Sequence, residues 1–305
     1  MKQCCIKKPV FTLTGGEKLC KRHFLNYFEK KVRKTIRIYK LIGKKENILV
    51  AASGGKDSTV VLYLLNRIIK SKRVNIEVLH IDLSIDDYSK KNKKNIIDFC
   101  KQYRIRLHET SLKKEFGYSL NKIQNILKSK NVNLKTCTIC GILRRYIVNK
   151  IAKKLKFSKV VTGHNLDDEA QSVIMNIFKN NIALLSRLGP KTGLLEDKKF
   201  VARIKPLYFC TEEETTLYAK LMNFNIVFKP CPCSSEAYRR SVLNMLNDFE
   251  KKNPGTKYGI INSFLEIKPF LENKYVGKIN ICRKCGEAAA KDICNSCKLI
   301  EKLRR

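Results

Sequence analysis

The hexapeptide Ser53-Gly54-Gly55-Lys56-Asp57-Ser58 stands between an apolar run, Ile48 to Ala52, and a helical pattern from about Asp57 to Ile69. A glycine pair at such a junction lets the chain turn tightly and gather several N–H groups at the positive end of a helix, where a phosphate docks. The spacing differs from the GxxxxGK[ST] loop that grips β- and γ-phosphates: it is shorter, and a carboxylate follows the lysine. Glycine and serine are also ordinary turn residues, so a plain strand-to-helix turn is the competing reading. The strand before and the helix after favour a nucleotide site.

Strand-like runs recur at Ile76 to Ile81, Arg104 to His108 and Lys159 to Thr162, separated by helical patterns such as Asp87 to Tyr103 and Leu166 to Phe178. This alternation predicts an α/β fold with a doubly wound parallel sheet, in which ligands bind beyond the carboxyl ends of the strands. The Ser53 loop falls at such an end. Upstream, Phe24, Phe28, Val32, Ile36 and Tyr39 follow the helical period with lysines and arginines between them. After Pro206 the pattern is mostly helical, over Thr211 to Met222 and Ala237 to Lys251, with a turn at Asn253-Pro254-Gly255. Three units are expected: a small N-terminal module over 1–27, a main domain over 28–270 whose C-terminal part is helical, and a C-terminal module over 271–305.

Lysine and arginine number 63 against 27 acids, a net charge of +36 spread along all 305 residues. A long polyanion is the natural partner of such a surface, although a solvated lysine-rich exterior gives the same count. No apolar run approaches the ~18 residues of a membrane span, and the N-terminus lacks the apolar stretch of a signal peptide, so a cytoplasmic protein without membrane contact is expected. In that reducing compartment the 13 cysteines argue for metals rather than disulfides.

Their spacing sharpens the point. Cys282-x2-Cys285 and Cys294-x2-Cys297 offer four thiolates, the set that Zn²⁺ takes in structural ribbons. At the N-terminus Cys20 and His23 make one half-site, with Cys4 or Cys5 as a third ligand and the fourth left open. Inside the main domain Cys137-Thr138-Ile139-Cys140-Gly141, placed ahead of a helix from Ile142 to Leu155, has a distant partner in Cys231-Pro232-Cys233. Cys137, Cys140 and Cys231 could hold a [4Fe–4S] cluster by three irons and leave the fourth open. A redox disulfide between Cys137 and Cys140 is the rival reading, two isolated zinc half-sites the blander one, and Cys233 either replaces Cys231 or takes no part. Cys100 and Cys210 read as packing residues.

The hexapeptide resembles the PP-loop, SGGxDS, of enzymes that cleave ATP between the α- and β-phosphates. Together with the internal C-x2-C-G, the later Cys-Pro, Gly163-His164-Asn165-Leu166-Asp167-Asp168-Glu169-Ala170 and the terminal cysteine modules, nearly the whole chain resembles the TtcA/TtuA family of tRNA thiolation enzymes. The likeness is specifically to the 2-thiouridine synthetase branch with zinc fingers at both ends. Departures are Cys4-Cys5, Ser84 in place of a glycine, and Cys233 in place of an aromatic residue.

The resemblance implies an adenine nucleotide alpha hydrolase-like fold and two Zn²⁺ sites. It implies a two-step reaction: uridine O2 attacks the α-phosphate of ATP, pyrophosphate leaves, and sulfur then displaces AMP, by way of the cluster, to give 2-thiouridine. Catalytic roles are implied for Lys56, Asp57, Arg144 and Asp168, with Mg²⁺ assisting. Contacts to ATP are implied for Ala52, Ser53, Gly54, Gly55, Lys56, Asp57, Ser58, His80, Asp82, Gly163 and Asp168. The sulfur donor is a ubiquitin-like thiocarboxylated protein or sulfide, and a homodimer is a form common among relatives. For tRNA the expected contacts are the basic helix from Lys30 to Lys40, Arg239, Arg240, Lys257 and the two terminal metal modules. Two other readings compete: another PP-loop ligase or amidotransferase acting on tRNA, and a zinc-ribbon RNA-binding protein with a vestigial loop.

Overall fold

The computed structural model describes residues 6–69, 73–193, 201–228, 231–234, 238–275, 280–289 and 291–304. A hairpin of β1 (Pro9–Thr12) and β2 (Lys18–Cys20) leads directly into α1 (Lys21–Ile38). Phe24, Phe28, Val32 and Ile36, four residues apart, are buried along one face of α1. Each such side chain taken from water contributes roughly 1.5–3 kcal/mol, which seats the helix despite its many lysines.

The main sheet follows: β3 (Asn47–Ala51), α2 (Lys56–Ile68), β4 (Asn75–Asp82), α3 (Asp86–Tyr103) and β5 (Arg106–Ser111). After α4 (Leu112–Phe116), α5 (Leu120–Ser129) and α6 (Thr136–Lys154), the chain returns to the sheet at β6 (Lys159–Val161) and continues through α7 (Leu166–Phe178) and α8 (Ile182–Leu185). Two short strands, β7 (Lys191–Thr192) and β8 (Ala202–Ile204), complete a six-stranded sheet of order β5-β4-β3-β6-β8-β7. All neighbours in it are parallel except β7 with β8. The chain therefore runs outward from β3 through β4 to β5, then crosses back to lay β6 on the other side of β3. This reversal is a topological switch point, and it opens a crevice beyond the carboxyl ends of β3 and β6. The doubly wound α/β expectation holds.

The remaining helices are α9 (Glu212–Leu221), α10 (Tyr238–Lys252) and α11 (Thr256–Tyr275), followed by β9 (Asn280–Ile281), β10 (Ala288–Ala289) and α12 (Asn295–Arg304). Helices α7, α10 and α11 share an apolar core that includes Val173, Leu246, Ile261 and Phe264. Leu299 and Leu303 of α12 join a second core with Leu127 of α5 and Leu143 and Ile147 of α6. The unit boundaries expected near 27 and 270 both fall inside helices, α1 and α11, so continuous helices rather than linkers join the ends to the sheet.

Local details differ from the sequence reading in two places. The Cys137-x2-Cys140 pair lies in the first turn of α6, which begins at Thr136 rather than after the cysteines. Helix α3 ends with Arg104 in the left-handed region at φ 54, so β5 starts two residues later than the apolar pattern suggested. Among the described residues no helix is long and apolar enough to cross a membrane.

Candidate active site

At the end of β3 the chain turns through Gly54, whose φ is +83. A side chain there would also place its Cβ 2.1 Å from the Asn92 carbonyl oxygen of α3, so glycine is required twice over. Ser58 Oγ donates to Gly55 O at 3.0 Å and lies 3.3 Å from Ser53 Oγ, fixing both serines across the mouth of α2. Gly55 is the N-cap of α2 with no side chain of its own over the free amides. Those amides and the helix dipole make an anion cradle.

The Lys56 ammonium sits between two carboxylates, 2.9 Å from Asp57 and 3.1 Å from Glu212 at the start of α9. Burial lowers its affinity for a proton, but Asp57 and Glu212 outweigh burial and leave it firmly charged. Burial pushes the Asp57 carboxyl up, against the pull of Lys56. Asn165, the N-cap of α7, accepts from Asp168 N at 3.0 Å and donates Nδ2 to Asp57 Oδ1 at 3.1 Å. One residue thus ends the β6 loop, starts α7 and ties it to the phosphate loop. Gly163 makes this approach feasible, because a Cβ there would stand 2.8 Å from the Asp57 carbonyl carbon.

Asp168 completes the capping box of α7 and accepts from Arg239 Nη2 of α10 at 2.8 Å. Burial raises its carboxyl, but Arg239 and His164 prevail and hold it below the usual carboxylate range. Ser53, Lys56, Asp57, Gly163, His164 and Asp168 line one cavity of about 810 Å³ together with Gly141, Arg144, Arg145, Arg203, Cys231 and Arg240. Glu212 and His164 belong to this wall and sequence reasoning had given neither a role. For His164 the signal was its place in the Gly163-His164-Asn165 run; for Glu212 there was none beyond an acidic first helical turn.

Of the three thiols, Cys231 lines this cavity, with Cys137 and Cys140 near enough to it to be felt electrostatically. Cys137 and Cys140 occupy the first turn of α6, and Cys137 Sγ lies 3.1 Å from Cys233 O. Burial pushes the Cys137 thiol up, as do its neighbours Cys140 and Cys231, while burial of Cys140 is opposed by a hydrogen bond from Arg144. Thiols from two segments meeting beside one cavity are a donor set that suits an iron–sulfur cluster. Cys233 stands close to Cys231, and burial together with that sulfur lifts its thiol to about 11. Cys100 and Cys210 are buried away from this wall, as expected of packing residues.

His80 is buried with Nδ1 donating to Ala52 O at 3.0 Å, and its Nε2 has no partner among the described residues. Burial lowers its basicity, so the ring is neutral. Asp82 Oδ1 accepts from Ser84 N at 2.7 Å, and Ser84 takes a φ of 54 where a glycine was expected. One oxygen of the Asp82 carboxylate thus braces a left-handed serine.

Among the expected tRNA contacts, Arg240 is exposed on the cavity rim, whereas Arg239 is held by Asp168 and Gln171. Lys257 is a correction: it is buried, ion-paired with Asp167 and 2.6 Å from Asn247 Oδ1, so its ammonium points inward and is not offered to a polyanion. In the basic helix, Lys31 is likewise held by Glu214 at 2.7 Å.

At the C-terminus the sulfurs of Cys282, Cys285, Cys294 and Cys297 all lie within 4.8 Å of one another, a tetrahedral donor set for a single ion. Backbone N–H groups of Cys294 and Cys297 donate to neighbouring sulfurs at 3.3 Å. At the N-terminus Cys20 Sγ lies 3.4 Å from His23 Nδ1, while Cys4 and Cys5 fall outside the described residues.

Comparison with known proteins agrees with this geometry. Residues 25–245 match the PP-loop domain family of ATP-binding proteins. The chain is 38% identical to the tRNA-5-methyluridine(54) 2-sulfurtransferase of Pyrococcus horikoshii, over 92% of this chain and 86% of that one. It is 30% identical to the tRNA 2-thiolation protein NcsA of Haloferax volcanii, over 95% and 94%. Its fold is similar to that of the U34-tRNA thiolase NcsA from Methanococcus maripaludis, solved with its [4Fe-4S] cluster, with a TM-score of 0.83, 31% identity and coverage of 99% and 96%. The phosphate loop, the cysteine wall between α6 and Cys231, and these relatives at near full length make the chain a member of the PP-loop tRNA 2-thiolation family.

Proposed function

We propose that the protein replaces O2 of a tRNA uridine with sulfur, using ATP to turn that oxygen into a leaving group. The observation that carries this reading is one cavity with an anion-binding helix terminus on one wall and Cys231, backed by Cys137 and Cys140, on the other. ATP lies with its phosphates over the amides of Gly55 and Lys56. As O2 attacks the α-phosphate, charge builds on the phosphate oxygens, and the Lys56 ammonium and loop N–H groups stabilise it without reorganising. Asp57 and Asp168, which both accept hydrogen bonds from Asn165, would hold Mg²⁺, which when bound would offset the charge of the leaving pyrophosphate. Glu212 keeps Lys56 placed until phosphate takes over.

Cys137, Cys140 and Cys231 would hold a [4Fe–4S] cluster, which when bound supplies an open iron that carries sulfur without electron transfer. Arg144, hydrogen-bonded to Cys140, orients that thiol and faces the departing AMP. Two structural Zn²⁺ sites, one on the C-terminal tetrad and one begun by Cys20 and His23, anchor the ends. A thiocarboxylated ubiquitin-like protein or sulfide provides the sulfur, and the chain acts as a monomer or a homodimer in the reducing cytoplasm.

Mass spectrometry of tRNA nucleosides, mapped by position in cells with and without the protein, tests the reading. Loss of 2-thiouridine at the wobble position or in the T-loop supports it and names the target; an unchanged profile sinks it. In purified protein Cys140→Ala should abolish thiolation yet keep tRNA-dependent pyrophosphate release, whereas Lys56→Ala should lower that release by 10²–10³-fold or about 2.7–4 kcal/mol. Release without any dependence on tRNA would point instead to another PP-loop ligase.

A further inference from the structure

Arg145 of α6 and Arg203 of β8 line the same cavity as the phosphate loop, with Arg203 Nη2 donating to Arg145 O at 3.3 Å. The guanidinium of Arg145 lies against Gly141, where a Cβ would stand 3.3 Å from Nη1 and 3.4 Å from Nη2. That glycine, directly after Cys140, leaves room for the planar group to rest on the helix one turn from the cysteine wall. Among the described residues no carboxylate pairs with Arg144, Arg145, Arg203 or Arg240; the arginine ion pairs are at Arg67, Arg106, Arg239 and Arg283. Arg145 is exposed and Arg203 half-buried, and for each, partial desolvation and then a neighbouring guanidinium weaken its hold on its proton. Cations gathered without acids are relieved by a bound anion.

We propose that Arg145 and Arg203 form a subsite for a phosphodiester next to the target uridine of the tRNA. This rests on the functional reading above. The ATP phosphates have their own cradle in the loop amides and Lys56. A uridine that reaches the cavity drags the phosphodiesters on either side of its ribose with it, because the backbone is continuous. Those diesters are the anions that must enter with the base, and two planar forks suit their oxygens. Holding the diester fixes how deep the base sits relative to the cysteine wall.

The test is tRNA binding by the intact protein as a function of salt, joined to phosphate-ethylation interference on the same tRNA and to equilibrium dialysis with ATP alone. Arg203→Gln and Arg145→Gln should each bind tRNA about tenfold more weakly, with a log–log salt slope shallower by about one. Ethylation of the flanking phosphates should block the wild type and not the variants, while other phosphates keep their effect and ATP affinity stays within twofold. Arg203→Lys, which preserves the charge, should regain the slope, and melting curves report whether each variant is folded. If ATP affinity falls and tRNA binding does not, the pair serves the triphosphate and the inference is overturned. Unchanged interference in folded variants also overturns it and leaves thiolation intact. A wild type that binds no tRNA removes the functional reading and this subsite together.

Discussion

Gly54 carries a double demand, a φ of +83 and the Asn92 carbonyl where a Cβ would stand. Gly54→Ala must therefore push α3 away or unwind the turn; ATP binding should fall at least tenfold, and dialysis against ATP measures it. The hexapeptide announced its glycines, but not that α3 supplies the wall they pass. Arg239 shows the opposite case. Its guanidinium holds Asp168 ionised below the usual range, a contact between α10 and α7 that no local pattern displays. In Arg239→Gln the carboxylate loses its largest stabilising partner and its pKa rises. The acid limb of pyrophosphate release should then move to higher pH while the rate on the alkaline side is retained, a shift read from a pH–rate profile.

The elements that build the cysteine wall depend on one another. Helix α6 carries Cys137 and Cys140 at its start, and α12, whose first turn carries Cys297 of the C-terminal tetrad, packs Leu299 and Leu303 against α5 and α6. Ser296 Oγ donates to Ile142 O at 3.3 Å, two residues beyond Cys140. The tetrad has little apolar core of its own, so an ion there fixes α12 and, through α12, the first turn of α6. Cys294→Ser should lower the zinc content of purified protein by about one ion per chain, measured by plasma emission spectrometry, and expose α6 amides to hydrogen exchange. The two C-x2-C knuckles were plain in the sequence because metal spacing is local. Their docking on α6 was not, since it is made by scattered leucines with ordinary helical spacing.

Across the whole molecule a chain of polar contacts, buried at Lys257 and Asp167, joins the helical C-terminal part to the phosphate loop. Lys257 of α11 pairs with Asp167 of α7, Asp167 Oδ2 accepts from Glu212 N at 2.7 Å, and Glu212 reaches Lys56. Lys257→Met leaves Asp167 charged and unpaired in the interior, so unfolding should become easier by about 3–5 kcal/mol in denaturant titrations. The salt slope of tRNA binding should not change, because the ammonium never faces solvent. From sequence the same residue looked like one more cation of a chain with a net charge of +36, and only its burial separates the two roles. The linear chain determined what short-range physics encodes: the strand–loop–helix of the phosphate site, the alternation that forces a parallel sheet, and the cysteine pairs. Tertiary structure decided what depends on contacts between segments far apart in the chain, namely that Glu212 joins Asp57 in holding Lys56, which arginines stand unpaired beside Cys140, and which lysines are withdrawn into the core. The reason is that charge and burial are properties of a neighbourhood, and the switch between β3 and β6 creates that neighbourhood only when the chain crosses back on itself.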